Sequence, residues 1–142
     1  MKIDDVIRNK GSEVVTITAS ATVADLTALL SRRNIGAVVV SADGVSVDGI
    51  VSERDVVRHL ASDGPAVLQR TVGEIMTSPV VTSTREDSLG ATAHTMTYSR
   101  LRHLPVVEDG RLVAIVSLGD VVKYRIDQLT DERNHLLEYL HS

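Results

Sequence analysis

The stretch GIVSERD, residues 49–55, returns sixty-five residues later as AIVSLGD, residues 114–120. Each time an apolar run ends in Ser, two residues follow, and Asp arrives; each time Val-Val comes next, at Val56-Val57 and Val121-Val122. The phrase reads as the end of a strand and the start of a helix. Ser-x-x-Asp is a capping box, in which the Ser hydroxyl accepts from a free backbone N–H and the Asp complements the positive helix end. One such box is a common structural device. Two at matching places ask for the whole chain to be laid against itself.

Residues 12–57 superpose on residues 78–122. Val14, Val15 and Thr16 fall on Val80, Val81 and Thr82, and Asp43-Gly44 falls on Asp109-Gly110, all at an offset of 66. From Ile50 onward the offset is 65, so the first copy carries one extra residue after its Asp-Gly. Two copies are too few for a solenoid; they predict two similar halves packed face to face about a pseudo-two-fold axis. In the first half, residues 14–17 predict a strand. Thr22 with Asp25 forms a capping box, and Val23, Leu26, Leu29 and Leu30 follow as a helical stripe. Strands at 37–41 and 47–51 flank a hairpin-type turn at Asp43-Gly44, and Ser52 opens a helix through Ala61. Residues 62–71 read as the linker and Val72–Met76 as a short helix. The second half predicts a strand at 80–82, a helix at 88–98, a strand at 103–107, a turn at Asp109-Gly110, a strand at 111–116 and a helix from 118. Each half is thus β-α-β-β-α, an α/β (α+β) architecture with units at 7–68 and 76–133.

Composition narrows the function. Of 142 residues 43% are apolar, with no Phe, no Trp and three Tyr, so the core must be Val, Leu, Ile, Ala and Met, which favours buried strands covered by helices. A net charge of −4 lacks the basic footprint of a nucleic-acid-binding domain. The absence of cysteine excludes disulfides, thiolate metal sites and Cys nucleophiles. The opening MKIDDVIRNKG has no apolar h-region, and no run reaches the ~18 residues of a membrane span, so the expectation is a soluble cytoplasmic protein.

The last helix outruns its counterpart. No Pro or Gly occurs between Val121 and Ser142, and Val122, Ile126, Leu129, Arg133, Leu136 and Leu140 step by 4, 3, 4, 3 and 4. This stripe needs a covering surface, either the same chain near its N-terminal helix or a second copy.

A helix start attracts phosphate, and a carboxylate beside it can accept ribose hydroxyls, as in dinucleotide folds. The order VVT … helix … LPVVEDGRLVAIVSLGD resembles the CBS domain, and the two copies resemble a CBS pair, or Bateman module, of the stand-alone bacterial type. The likeness spans about residues 7–133 and is stronger in the second half, which also looks like a repeat of the γ regulatory subunit of AMP-activated protein kinase. It implies one cleft per repeat for an adenosine-containing ligand: AMP foremost, with ADP, ATP, NADH or S-adenosylmethionine as alternatives, and no required cofactor. Carried over, the second cleft receives Thr82, Arg102, His103, Ser117 and Asp120, with Val80, Val81 and Ile115 on the base. Asp120 takes the ribose, Ser117 lies near ribose and phosphate, and Arg102-His103 faces phosphate. The first cleft receives Val14, Val15, Thr16, Ile50, Ser52 and Asp55. There the positions of the basic pair are Gly36 and Ala37, leaving Arg54 to supply a cation. Val39 replaces the usual Pro, and Ala114 the usual Gly.

The remaining constellations carry less. His59, His94, His103, His135 and His141 show no metal spacing. No G-x-S-x-G, P-loop or G-x-G-x-x-G occurs. The expectation is a regulatory module and not an enzyme, binding an adenine nucleotide, forming a homodimer and acting on an unnamed downstream protein, with no role for nucleic acid or membrane. The alternative is a dimerisation or interaction module with vestigial clefts.

Overall fold

The computed structural model describes residues 1–11 and 13–142. The chain runs α1 (Ile3–Lys10), β1 (Thr16–Ile17), α2 (Val23–Arg33), β2 (Ala37–Val40), β3 (Gly49–Ser52) and α3 (Glu53–Asp63). A 3₁₀ segment, Gly64–Gln69, leads to α4 (Val72–Ile75), α5 (Leu89–Tyr98), β4 (His103–Glu108), β5 (Arg111–Ser117) and α6 (Leu118–His141). Three of the helix starts are reciprocal capping boxes: Thr22 with Asp25, Ser52 with Asp55, and Ser117 with Asp120. The hydroxyl at each start takes one of the N–H groups that a first turn leaves without a partner.

In the first half β1 lies parallel to β2, Thr16 opposite Val39, and β2 lies antiparallel to β3, Ala37 opposite Ser52. In the second half β4 and β5 pair antiparallel, His103 opposite Ser117, with a bulge after Val106. The strand expected at 80–82 does not form. Ser83 alone bridges Val106, in parallel, its N–H on the Pro105 carbonyl at 2.9 Å and its own carbonyl taken by Val107 N–H at 2.8 Å. Ser83 and Thr84 both donate to the Asp87 carboxylate, at 2.7 and 2.9 Å, which folds the chain into a turn where a longer strand would run on. The two Asp-Gly turns also differ. Asp109 and Gly110 both adopt left-handed φ, 51° and 75°, and make the two-residue hairpin expected. Asp43 instead gathers the N–H groups of Val45 and Ser46 and the Ser46 hydroxyl on its Oδ1, so residues 41–48 are a loop rather than a tight hairpin.

Each half has its own core. Val23, Leu26, Val38, Val40 and Val51 build the first, joined by Val67, Val72 and Ile75 from the segment between the halves. Leu89, Met96, Leu104, Val106, Val116 and Val121 build the second, joined by Ile3, Val6 and Ile7 of α1. The chain's first helix is therefore part of its last core. The backbone repeats the arrangement: Lys2 bridges Ser88 beside the start of α5, and Thr71 bridges Thr22 beside the start of α2. Fully burying one such Ile or Val is worth about 1.5–3 kcal/mol.

Helix α6 rests on α1 through Tyr124, which packs against the second core, and through an ion pair between Lys10 and Asp120. That contact leaves the apolar stripe uncovered: Val122, Ile126, Leu129, Leu136 and Leu140 are each between 47% and 68% exposed. Among the described residues no helix is long and apolar enough to cross a membrane.

Candidate functional site

Packing the two halves together leaves a cavity of about 380 Å³ between them. Val15, Ile35, Gly36 and Ala37 form its wall from the first half; His103, Ile115, Ser117 and Asp120 form its wall from the second. Lys10, Glu13 and Asn34 complete the lining. The size lies within the ~300–1,000 Å³ of small-molecule sites, and an apolar lining with a few converging polar groups is their usual make-up.

Asp120 sits where β5 passes into α6. Its Oδ2 accepts from the Ser117 N–H at 2.8 Å, and its own N–H donates to the Ser117 hydroxyl at 3.0 Å, so the box caps the helix as expected. The same Oδ2 meets Lys10 Nζ at 2.5 Å, and that ammonium also donates to the Ile115 carbonyl at 2.6 Å. Burial alone would push the Asp120 carboxyl up; the Lys10 ammonium and the Ser117 N–H outweigh it and hold the group below its ordinary value. His103 faces the opposite wall. A Cβ at Gly36 would stand 3.5 Å from the His103 ring and 3.4 Å from Glu53 Oε1, ordinary contact distances, so ring and carboxylate both lie against this stretch of backbone. Burial lowers the His103 pKa, with the Glu53 carboxylate working against it and the Lys10 ammonium with it.

The structure thus brings Val15, His103, Ile115, Ser117 and Asp120 to one cavity and distributes the other residues named from the sequence. Val81 and Thr82 line a separate small cavity of about 190 Å³ with Ser83, Asp87 and Thr92, and Val80 is half-buried beside them in the chain. The apolar wall opposite Asp120 is therefore Val15 of the first half, where the sequence had grouped Val80 and Val81 with Asp120. A pseudo-two-fold packing sets the first strand of one half against the strand-to-helix junction of the other. Arg102 is exposed and lines an outer groove with Leu118, Val122 and Ile126; His103 reaches both that groove and the inner cavity. In the first half Thr16 is half-buried in β1, with Val14 two residues before it, and Arg54 is exposed on α3. Ser52 and Asp55 make the matching cap, the Ser52 N–H on Asp55 Oδ2 at 2.9 Å. Ile50 exchanges both backbone hydrogen bonds with Thr77, at 3.0 and 2.9 Å.

Lys10 was missed from the sequence, where a basic residue in the last turn of a helix reads as a complement to the helix dipole. A signal was present. Ile3, Val6, Ile7 and Lys10 fall on one helical face, so whatever buries the first three also turns Lys10 inward.

The CBS-domain family profile matches twice, at residues 3–62 and 72–127. The chain belongs to the CBS-domain family. Its two halves are two CBS repeats, and their α/β fold with a long C-terminal helix is that of a CBS pair. The chain is 32% identical to the CBS domain-containing protein CBSX3, mitochondrial, of Arabidopsis thaliana, over 97% of this chain and 71% of that protein. It superposes on the CBS-domain containing protein ATU1752 from Agrobacterium tumefaciens with a TM-score of 0.84 at 42% identity, covering 88% of this chain and 99% of that one. It also superposes on the CBS domain protein PAE2072 from Pyrobaculum aerophilum, which was solved complexed with AMP. The TM-score there is 0.74 at 25% identity, over 84% of this chain and 89% of that one.

Proposed function

We propose that this CBS pair is a regulatory module that binds an adenosine-containing nucleotide, AMP foremost and ATP, ADP or NADH as alternatives, between its two repeats. The observation that carries the reading is the cavity that sets the Ser117–Asp120 cap of one repeat against the apolar Val15, Ile35 and Ala37 of the other. In this reading Asp120 accepts the ribose hydroxyls, the start of α6 with Ser117 faces phosphate, and Val15 and Ile115 hold the base. The AMP of the Pyrobaculum aerophilum relative supports that ligand class. A second site by pseudo-symmetry would use Ile50, Ser52, Arg54 and Asp55 with Val80 and Val81, while Thr16, Thr82, Val14 and Arg102 line the approaches. The module acts without catalysis, as a homodimer in the cytoplasm, and ligand-dependent reorientation of the repeats is the signal a partner protein reads.

A thermal-shift series with AMP, ADP, ATP, NADH and S-adenosylmethionine tests this. A ligand at 100 times its Kd adds about 2.7 kcal/mol, a rise of several degrees for a chain of this size. No shift with any of the five would remove the nucleotide and leave the interaction module, which the exposed stripe on α6 favours.

A further inference from the structure

The Lys10–Asp120 pair joins residues 110 apart and lies in the proposed ligand cavity itself. Lys10 closes α1, which Ile3, Val6 and Ile7 hold in the second core, so the ammonium reaches the cavity from a fixed base. There it meets the Asp120 carboxylate, on which the ribose would rely, and the Ile115 carbonyl.

The first repeat shows that a lysine is not needed to satisfy these groups. Ile50 is the counterpart of Ile115 at the 65-residue offset, and its carbonyl accepts from the Thr77 backbone N–H at 2.9 Å. Asp55, the counterpart of Asp120, is held by Ser52, and among the described residues no ion pair includes it. The second repeat uses a flexible four-carbon stem with a mobile point charge where the first uses backbone. The Lys10 and Asp120 side chains are 31% and 27% exposed, enough solvent contact for the pair to open.

We propose that Lys10 is the residue by which this cleft distinguishes a nucleotide from a nucleoside. Resting on the nucleotide reading above, the mechanism is an exchange. A ribose that takes Asp120 must displace the ammonium. Adenosine gives that ammonium nothing in return, whereas a 5′-phosphate offers a new and stronger counter-charge within reach of the same stem. The carboxylate and the phosphate are thus alternative partners of one lysine, and ligand charge decides which it holds.

Calorimetric titration with adenosine and with AMP, on the parent, Lys10→Met and Lys10→Arg, tests the exchange. The parent is expected to prefer AMP by tenfold or more. Lys10→Met is expected to move the two affinities in opposite directions, adenosine tighter and AMP weaker, so that the preference falls to roughly threefold or less. Lys10→Arg, which keeps the charge, should restore most of it. If Lys10 only staples α1 to β5 and α6, Lys10→Met melts lower and leaves the AMP-to-adenosine ratio as in the parent, and the exchange is overturned while the nucleotide reading stands. A parent that binds neither compound overturns both. Lys10→Gln serves as the second neutral variant if Lys10→Met does not fold.

Discussion

Replacing Asp120 by Ala separates a helix cap from a ribose acceptor. In stability terms the change removes a 2.8 Å bond from the Ser117 N–H and the Lys10 ion pair, both on one part-buried carboxylate oxygen. An acidic residue in a first turn is worth about 0.3–1 kcal/mol, and a hydrogen bond to a charged group about 1.5–3 kcal/mol. Lys10 keeps the Ile115 carbonyl, so the combined loss is expected at roughly 1–3 kcal/mol, or roughly 3 to 10 °C in Tm. In binding terms the loss of even one charge-assisted bond to a ribose hydroxyl weakens AMP by about tenfold or more. Asp120→Asn sharpens the contrast: its side-chain oxygen can still accept from the Ser117 N–H, but it loses the charge paired with Lys10 and offers the diol one acceptor fewer, so it should melt between the parent and Asp120→Ala and still bind at least about tenfold weaker. Asp55→Ala should cost less affinity, since the first cleft has Gly36 and Ala37 where the second has Arg102 and His103. The Asp120 carboxyl is held below its ordinary value in the folded chain. Its stabilisation is therefore complete above the unfolded pKa of about 3.9 and is lost as pH falls through the folded value. The melting gap between parent and Asp120→Ala should accordingly be widest near neutrality and close in acid. Calorimetry and melting on the three variants decide. If Asp120→Ala melts lower but binds every adenine nucleotide as the parent does, Ser-x-x-Asp here is a cap and the ribose assignment is wrong.

Ile3→Ala should destabilise by about 2–5 kcal/mol and, in hydrogen exchange, loosen α5, β4 and β5 ahead of β1–β3; loosening confined to the first half would contradict the exchange of helices between the cores. Ile126→Glu, at a position 57% exposed in the monomer, should leave melting nearly unchanged but shift sedimentation from twice the 15.3 kDa chain mass toward once, and a parent that already sediments as a monomer at micromolar concentration would remove the homodimer.

What the sequence reveals of this chain is what local chemistry decides. Thr22, Ser52 and Ser117 read correctly as helix starts because a capping box is complete within four residues. Asp109-Gly110 reads correctly as a hairpin because its two left-handed φ values are what that pair supplies. Asp43-Gly44 has the same letters but sits beside Ser41 and Ser46, whose bonds to Asp43 stretch the turn into a loop. Val80-Val81-Thr82 has the composition of a strand, yet only Ser83 just beyond it finds a strand partner, Val106. For the site, the repeat located Ser117 and Asp120, and the family resemblance added His103 and Ile115. The pairing of Val15 with Asp120 across the two halves depends on how they dock, and Lys10 meets Asp120 across 110 residues. No local pattern encodes either contact.

The placement of α1 in the last core has a consequence for how the chain is made. Translation releases residues in order, so Ile3, Val6 and Ile7 leave the ribosome before the rest of either repeat, and about a hundred residues ahead of their partners Leu104, Val116 and Val121. At roughly 5–20 residues per second, the wait is on the order of 5 to 20 seconds. Meanwhile Val72 and Ile75 arrive early enough to close the first core on their own. The first repeat can therefore mature on the nascent chain while the amphipathic α1 ahead of it waits for its partners. Topologically the first repeat is an insertion within the second, and the second core is complete only once α1 has met α5, β4 and β5.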